Sequence, residues 1–199
     1  MPDPKKTETF DALLARVRAC RLCEETLPLG PHPVVKGKQT AKLLIIGQAP
    51  GTRVHETGIP WNDRSGDQLR EWLAVDKDTF YDEARIAIMP MGFCYPGVNP
   101  KGGDNPPRPE CAEAWHEALL AHLQSVELTL LVGMYAQARY LGKEKKRTLT
   151  ATVAAWREYE PNFLPLPHPS WRNQFWRRKN PWFETDIIPE LQAQIHALL

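Results

Sequence analysis

The stretch LLIIGQAPG, residues 43–51, sets four consecutive apolar residues directly before a turn bracketed by two glycines. A short apolar run that ends at such a turn is typical of a buried β-strand followed by a loop. Three further apolar runs of this kind follow along the chain. We predict a strand for each of the four runs: residues 43–46, 86–89, 128–132 and 163–166.

Segments around these strands carry apolar residues at helical spacing. They predict helices over residues 9–19, 66–73, 109–123, 137–141, 149–156 and 188–198. Parallel strands need crossover connections, which helices supply, so the alternation predicts an α/β fold with helices on both faces of a parallel sheet. The expected architecture is a three-layer α/β/α sandwich around a central four-stranded parallel sheet. Ligands of such sheets bind beyond the carboxyl ends of the strands.

Composition limits the class of protein. The chain has 199 residues, 42% hydrophobic and 25% charged, which suits one globular domain over residues 1–199. No apolar run approaches the roughly 20 residues of a membrane-spanning helix, and the opening MPDPKKTETF lacks the apolar core of a secretory signal peptide. We therefore expect a cytoplasmic protein with no membrane partner. The 25 Lys and Arg nearly balance the 24 Asp and Glu, so net charge does not indicate a nucleic-acid partner.

The four cysteines form a pattern of their own. Cys20 and Cys23 make a C-x2-C pair, and Cys94 and Cys111 follow with sixteen residues between them. In a reducing cytosol, thiols more often bind a metal or pack in the core than form disulfides. A metal site and a buried, unligated set both remain open at this point.

Two segments at predicted strand ends carry candidate chemistry. In residues 47–51 the glycines let backbone N–H groups approach a ligand, and Gln48 offers both a donor and an acceptor. A plain strand-to-loop turn is the alternative, and the loop is not a Walker loop because no Gly-Lys-Ser/Thr follows. His168 lies between Pro167 and Pro169, which stiffen the backbone and fix where the imidazole points. An ordinary surface histidine is the alternative there.

The segment WRNQFWRRK, residues 171–179, interleaves aromatic and cationic side chains. Aromatic rings can stack on or wedge between bases while cations pair with phosphates. The alternative is an ordinary helix with buried aromatic residues and a solvated basic face.

Three motifs, in this order, resemble those of the uracil-DNA glycosylase superfamily: GQAPG at residues 47–51, a G-x-P-aromatic element at residues 58–61 and His-Pro-Ser at residues 168–170. The cysteine pattern is similar to that of the superfamily's iron-sulfur branch, which carries C-x2-C near the start and two cysteines flanking a proline-rich loop. Here that loop is YPGVNPKGGDNPPRPE, residues 95–110. The resemblance spans nearly the whole chain, and it implies a monomer that acts on single- or double-stranded DNA.

The resemblance implies a role for each matching residue. Trp61 would stack on the flipped base, and His168 would donate a hydrogen bond to a carbonyl oxygen of the departing base. The first motif would line the base pocket and orient the attacking water through Gly47, Gln48, Ala49, Pro50 and Gly51.

The segment after the last strand would insert into the DNA strand, with Trp171 nearest to the wedge position. The implied DNA contacts are Ser170, Trp171, Arg172, Asn173, Arg177 and Arg178. Cys20, Cys23, Cys94 and Cys111 would hold a 4Fe-4S cluster, although four thiolates could equally hold zinc.

The chain departs from the family at the expected carboxylate. Many relatives carry an acid at the second or third position of the first motif, where this chain has Gln48 and Ala49. Gln48 can hold a water but is a poor base, because an amide does not titrate near neutral pH. His55 replaces part of a downstream acidic pair and is a candidate for handling water or phosphate, with a surface histidine as the alternative. Asp63 and Asp67 are the nearest spare aspartates, and both equally suit helix caps.

A second departure concerns base recognition. The iron-sulfur branch reads the edge of uracil with an asparagine four residues before the third cysteine, and that position is Pro90 here. Proline offers neither a polar side chain nor a backbone donor. We therefore expect the backbone of Met91, Gly92 and Phe93 to line the base pocket.

The leading hypothesis is a monofunctional DNA glycosylase that removes uracil, or a related deaminated or damaged base, and leaves an abasic site. A binding protein that recognises a lesion without cutting is the second hypothesis. The third is a module in which an iron-sulfur cluster or zinc has a redox or structural role and the pocket is vestigial.

Overall fold

The computed structural model describes residues 8–199, and one sheet of four parallel strands lies at its centre. The strands are β1 (Leu43–Ile46), β2 (Ile86–Ile88), β3 (Leu128–Val132) and β4 (Phe163–Leu166), in the order β2-β1-β3-β4. Leu43 pairs with Ile86 on one side and with Leu128 on the other. The predicted parallel sheet is confirmed, and only β2 differs from its predicted bounds, since it ends one residue earlier.

Helices connect the strands. Those described between residues 8 and 199 are α1 (Phe10–Arg18), α2 (Thr52–Thr57), α3 (Arg64–Leu73), α4 (Lys77–Tyr81), α5 (Pro109–Cys111), α6 (Glu117–His122), α7 (Met134–Leu141), α8 (Leu149–Ala154), α9 (Gln174–Lys179) and α10 (Ile188–Leu198). A π turn, Ala112–His116, joins α5 to α6 within the single helix that the sequence predicts there. None of these helices combines the length and the hydropathy of a membrane-spanning segment.

Both faces of the sheet are covered. Consecutive strand residues point to opposite faces, so Leu44 and Ile46 pack in one apolar cluster and Leu43 and Ile45 in another. The first cluster contains residues of α1, α6 and α7, and the second contains residues of α3, α8 and α10. The expected three-layer α/β/α sandwich is confirmed, and it explains why the strands read as unbroken apolar runs.

The strand order positions a ligand site. The chain passes from β1 outward to β2, and then returns to add β3 and β4 on the other side of β1. Connections that leave a parallel sheet in opposite directions open a crevice at the carboxyl ends of its strands. The first motif follows β1 directly and therefore lies at this crevice.

Candidate active site

A cleft of about 250 Å³ opens at the carboxyl ends of the strands. Three motifs from distant parts of the sequence line it together: residues 47–51 after β1, Trp61 after α2, and His168 with Ser170 after β4. The structure therefore brings the motif residues to one site, at the edge of the sheet where ligands of parallel sheets bind.

Residues 91–93 lie behind the first motif. The Met91 N–H donates to the Gly47 carbonyl and the Gly92 N–H to the Gln48 carbonyl, both at 2.9 Å. Met91 and Phe93 are buried in the core. The cleft lining described for residues 8–199 includes Pro90 but not Met91, Gly92 or Phe93. These backbone bonds hold the first motif in position.

Trp61 has an unusual backbone conformation. Its φ is +57°, in the left-handed region that bulky residues rarely adopt. Two glycines make room for it: a Cβ at Gly66 would lie 1.7 Å from the Trp61 carbonyl oxygen, and one at Gly47 would lie 2.7 Å from ring atom Cζ2. The indole is thereby fixed against the first motif, with its ring centroid 5.6 Å from that of His168.

His168 is fixed by the strand end that precedes it and the turn that follows it. The buried amide of Gln137 donates to the Leu166 carbonyl at 2.9 Å, and the Asn173 amide donates to the His168 carbonyl at 2.6 Å. Burial lowers the pKa of His168, and the charge of nearby Asp63 opposes that shift. The imidazole is therefore neutral near pH 7 and can donate one hydrogen bond to a ligand.

A second histidine supports the cleft from inside the protein. His116, in the π turn, is only 1% exposed, and burial lowers its pKa to about 4. Its neutral ring donates from Nε2 to the Pro90 carbonyl at 3.1 Å, so its Nδ1 accepts from the Tyr140 hydroxyl at 2.6 Å. This pair holds Pro90, which follows β2 and lies on the cleft lining. No local sequence pattern marks His116, because its partners are distant along the chain.

Among residues 8–199, two aspartates line the cleft, Asp63 and Asp104. Asp63 caps α3, since its Oδ1 accepts from the Gly66 N–H at 2.8 Å. Asp104 belongs to the proline-rich loop and is not among the site residues predicted from the sequence. Its only local signal was an acid following two glycines. Asp67 is not on the lining found among residues 8–199, and it pairs with an arginine of its own helix at 2.6 Å.

The rim of the cleft carries an exposed aromatic residue beside a cation. Trp171 is 70% exposed and begins a short 3₁₀ turn, Trp171–Asn173, in which Ser170 Oγ accepts from the Arg172 N–H at 3.3 Å. The Arg172 guanidinium lies against the backbone of Gly103, where a Cβ would come within 2.3 Å of Nη1. The rim therefore touches the proline-rich loop of residues 95–110.

The basic residues of α9 are placed differently. Arg177 donates to Glu184 at 2.7 Å and to Gln68 at 2.8 Å, so it is bound within the protein. Arg178 lies 5.9 Å from the ring centroid of Phe175, a side chain that is 73% exposed. Among the predicted DNA contacts, Ser170, Trp171 and Arg172 line the cleft, and Asn173 and the two arginines of α9 are outside its described lining.

His55 lies in α2, beside the cleft and outside its described lining. Its carbonyl accepts from His32 Nδ1 at 2.5 Å, and its ring packs edge-on against His32 and also near Tyr95. Burial and His32 lower the pKa of His55. Its Nδ1 is buried and has no partner among the described residues. Its role in handling water or phosphate stays a prediction.

The four cysteines converge on a second, smaller cavity with mostly apolar walls. Burial raises the pKa of Cys94 to about 12 and of Cys111 to about 11, so these thiols need a cation beside them to ionise. Arg108 and Trp115 also line this cavity, and the Nε atom of Arg108 and the Nε1 atom of Trp115 are buried without a partner in the described structure. Between residues 8 and 199, no group of three or more His, Cys, Asp or Glu side chains has an arrangement that could hold a metal ion without movement.

Comparisons with known proteins give two findings. A family model described as the uracil DNA glycosylase superfamily matches residues 34–192 of the chain. The solved structure of wild-type SMUG2 from Pedobacter heparinus is similar over 78% of this chain and 76% of that one, with 14% sequence identity and a TM-score of 0.43.

Proposed function

The chain belongs to the uracil DNA glycosylase superfamily, and from that premise we propose that it is a monofunctional glycosylase that removes uracil, or a related deaminated base, from DNA. Such an enzyme breaks the bond between C1′ of the sugar and a ring nitrogen of the base, with water as the nucleophile. The family match confirms the resemblance to the superfamily that the three motifs indicate. Assignment to its iron-sulfur branch stays a prediction.

The observation that carries this proposal is the meeting of Trp61, His168 and Gln48 in one cleft. As the bond breaks, negative charge grows on the base and positive charge on the sugar. The half-buried, neutral imidazole of His168 can donate a hydrogen bond to the developing oxyanion of the base. The indole of Trp61 offers a flat face for stacking, and the Gln48 amide can hold a water near the sugar.

A base reaches such a cleft only when its nucleotide leaves the DNA stack. The exposed indole of Trp171 suits the space that the extruded base leaves behind, and the adjacent Arg172 suits a phosphate. The cleft lining described between residues 8 and 199 contains no lysine, and hydrolysis by water requires none.

The test is base release from oligonucleotides that contain uracil, hypoxanthine, xanthine or hydroxymethyluracil, in single- and double-stranded form. We expect free uracil and an alkali-labile abasic site. Tight binding to uracil DNA without release would instead support a lesion-binding protein, which the uncharged Gln48 and Ala49 favour. Neither binding nor release with any of the four bases would contradict both functions.

We propose further that the four cysteines hold a 4Fe-4S cluster. Their convergence on one mostly apolar cavity supports this. So do the N–H donors of Arg108 and Trp115, which have no partner among residues 8–199 and suit the sulfur atoms of a cluster. When bound, the cluster would crosslink the segment after α1 to both ends of the proline-rich loop. Zinc is the alternative ion for four thiolates.

Replacing Cys94 by serine is expected to remove the metal. The purified wild-type protein should be brown, with about four iron atoms per chain, and Cys94→Ser should lose most of that iron. The variant His168→Ala, which leaves the cysteine cavity intact, should keep the iron and is the control. A colourless wild-type protein with about one zinc per chain would contradict the iron-sulfur cluster and show that the four cysteines hold zinc.

A further inference from the structure

The first motif carries no acid, yet the cleft has one beside that motif. The loop of residues 95–110 folds back on itself: Asn99 N–H donates to the Gly103 carbonyl at 2.7 Å, and Asn105 N–H donates to the Gly97 carbonyl at 2.8 Å. These bonds fold the loop so that Asp104 lies close to the first motif. One of its carboxyl oxygens, Oδ2, lies 3.8 Å from the point where a Cβ of Gly51 would stand.

The surroundings of Asp104 suit a proton acceptor. Asp104 is an exposed residue, but partial burial of its carboxyl group raises its pKa. The Arg172 guanidinium lowers that pKa, and the charge of Asp63 raises it. Neighbouring charges therefore shift the pKa of this carboxyl group in opposite directions. Asp104 lies in the same cleft lining as Gln48 and His168.

We propose that Asp104 is a catalytic residue of this cleft: its carboxylate takes the proton of the water that attacks C1′. This inference rests on the proposed function. In the step, the water oxygen forms a bond to C1′ and the glycosidic bond to the base nitrogen breaks. The electron pair of that bond leaves with the base, whose oxyanion accepts a hydrogen bond from His168. The water proton passes to Asp104 and is later released to solvent, and the base anion takes up a proton from solvent.

Asp63 has a different role in the same cleft. One of its oxygens is engaged by the Gly66 N–H at the start of α3, the helix whose first turn touches the carbonyl of Trp61. Asp63 is therefore a positioning residue that holds this turn and biases the charge around His168. Asp63 has only one carboxyl oxygen left for a water, whereas no hydrogen bond to the Asp104 carboxyl group is found among residues 8–199, so both of its oxygens can meet one.

The experiment compares Asp104→Asn, Asp63→Asn and Asp67→Asn with the wild type in single-turnover uracil release from pH 4 to pH 9. Asp67 is the matched control, since it lies on α3 outside the described lining. We expect Asp104→Asn to slow release about 100-fold and to lose the fall in rate at low pH, because an amide cannot accept the proton. Binding to uracil DNA and the thermal midpoint should stay near the wild-type values. Asp67→Asn should keep the wild-type rate.

The outcomes separate this inference from the proposed function. A wild type that releases no base from any substrate overturns the function itself. A wild type that is active, with Asp104→Asn within about threefold of its rate and the same low-pH limb, overturns only the role of Asp104. The role of Asp104 is also overturned if Asp63→Asn slows release more than Asp104→Asn does and loses the fall in rate at low pH. That result would assign the activation of the water to Asp63.

Discussion

Replacing His168 by alanine is expected to slow uracil release about 100- to 1,000-fold, which is the usual effect of removing one donor to a developing oxyanion. The imidazole is held by the Pro-His-Pro backbone, by the Asn173 amide on its carbonyl and by the strand end below it. Burial keeps the ring neutral near pH 7, so its hydrogen bond is present in the ground state and strengthens as charge moves onto the base. The measurement is single-turnover release at saturating enzyme, which separates the chemical step from product dissociation.

A matched histidine gives the control. His196 is exposed on α10 and lies outside the described cleft lining, so His196→Ala should keep the wild-type rate. Binding of uracil DNA by His168→Ala should change far less than its rate. If His168→Ala released uracil as fast as His196→Ala, the base would not lie against this imidazole and the proposed pose would be wrong.

Replacing Gly66 by alanine is expected to destabilise the protein by about 3 kcal/mol and to abolish base release. In most helices this change is mildly stabilising, because alanine favours the helix. Here the new methyl group would lie 1.7 Å from the Trp61 carbonyl oxygen and 2.6 Å from its carbonyl carbon. Both are backbone atoms, so α3 or the turn that holds Trp61 must move. Chemical denaturation measures the change in unfolding free energy.

The control for this variant is Arg64→Ala, an exposed substitution in the first turn of the same helix. It should change the unfolding free energy by less than about 0.5 kcal/mol and leave base release intact. A Gly66→Ala protein with wild-type stability and activity would show that the Trp61 turn does not pack on α3 as described. Loss of activity with full stability would point to displacement of the indole alone.

The absence of an acid in the first motif has two explanations, which these experiments separate. In the first, the chain binds a lesion and does not cut it. In the second, the proline-rich loop supplies the acid as Asp104. That loop begins and ends at Cys94 and Cys111, so a cluster held by the cysteines would also fix the base of the loop that carries Asp104. Loss of iron in Cys94→Ser should therefore be accompanied by slower base release.

Strands were the most predictable part of the fold. β1, β3 and β4 have their predicted bounds, because a strand buried on both faces leaves a short, unbroken apolar run that ends at turn residues. Helices α2 and α4 were not predicted. They have 6 and 5 residues and bury a single apolar side chain each, Val54 and Phe80, so no repeated apolar spacing marks them in the sequence.

The sequence by itself determined the order of strands and helices, and with it the edge of the sheet where Gln48, Trp61 and His168 meet. Parallel strands place the segments that follow them at one edge, so local patterns suffice for that conclusion. Only the tertiary structure decided that residues 91–93 pack behind the first motif, that His55 turns toward His32, and that Asp104 reaches the cleft. Those placements depend on how loops return across the surface, which rests on hydrogen bonds and close contacts between residues far apart in the chain rather than on any local pattern.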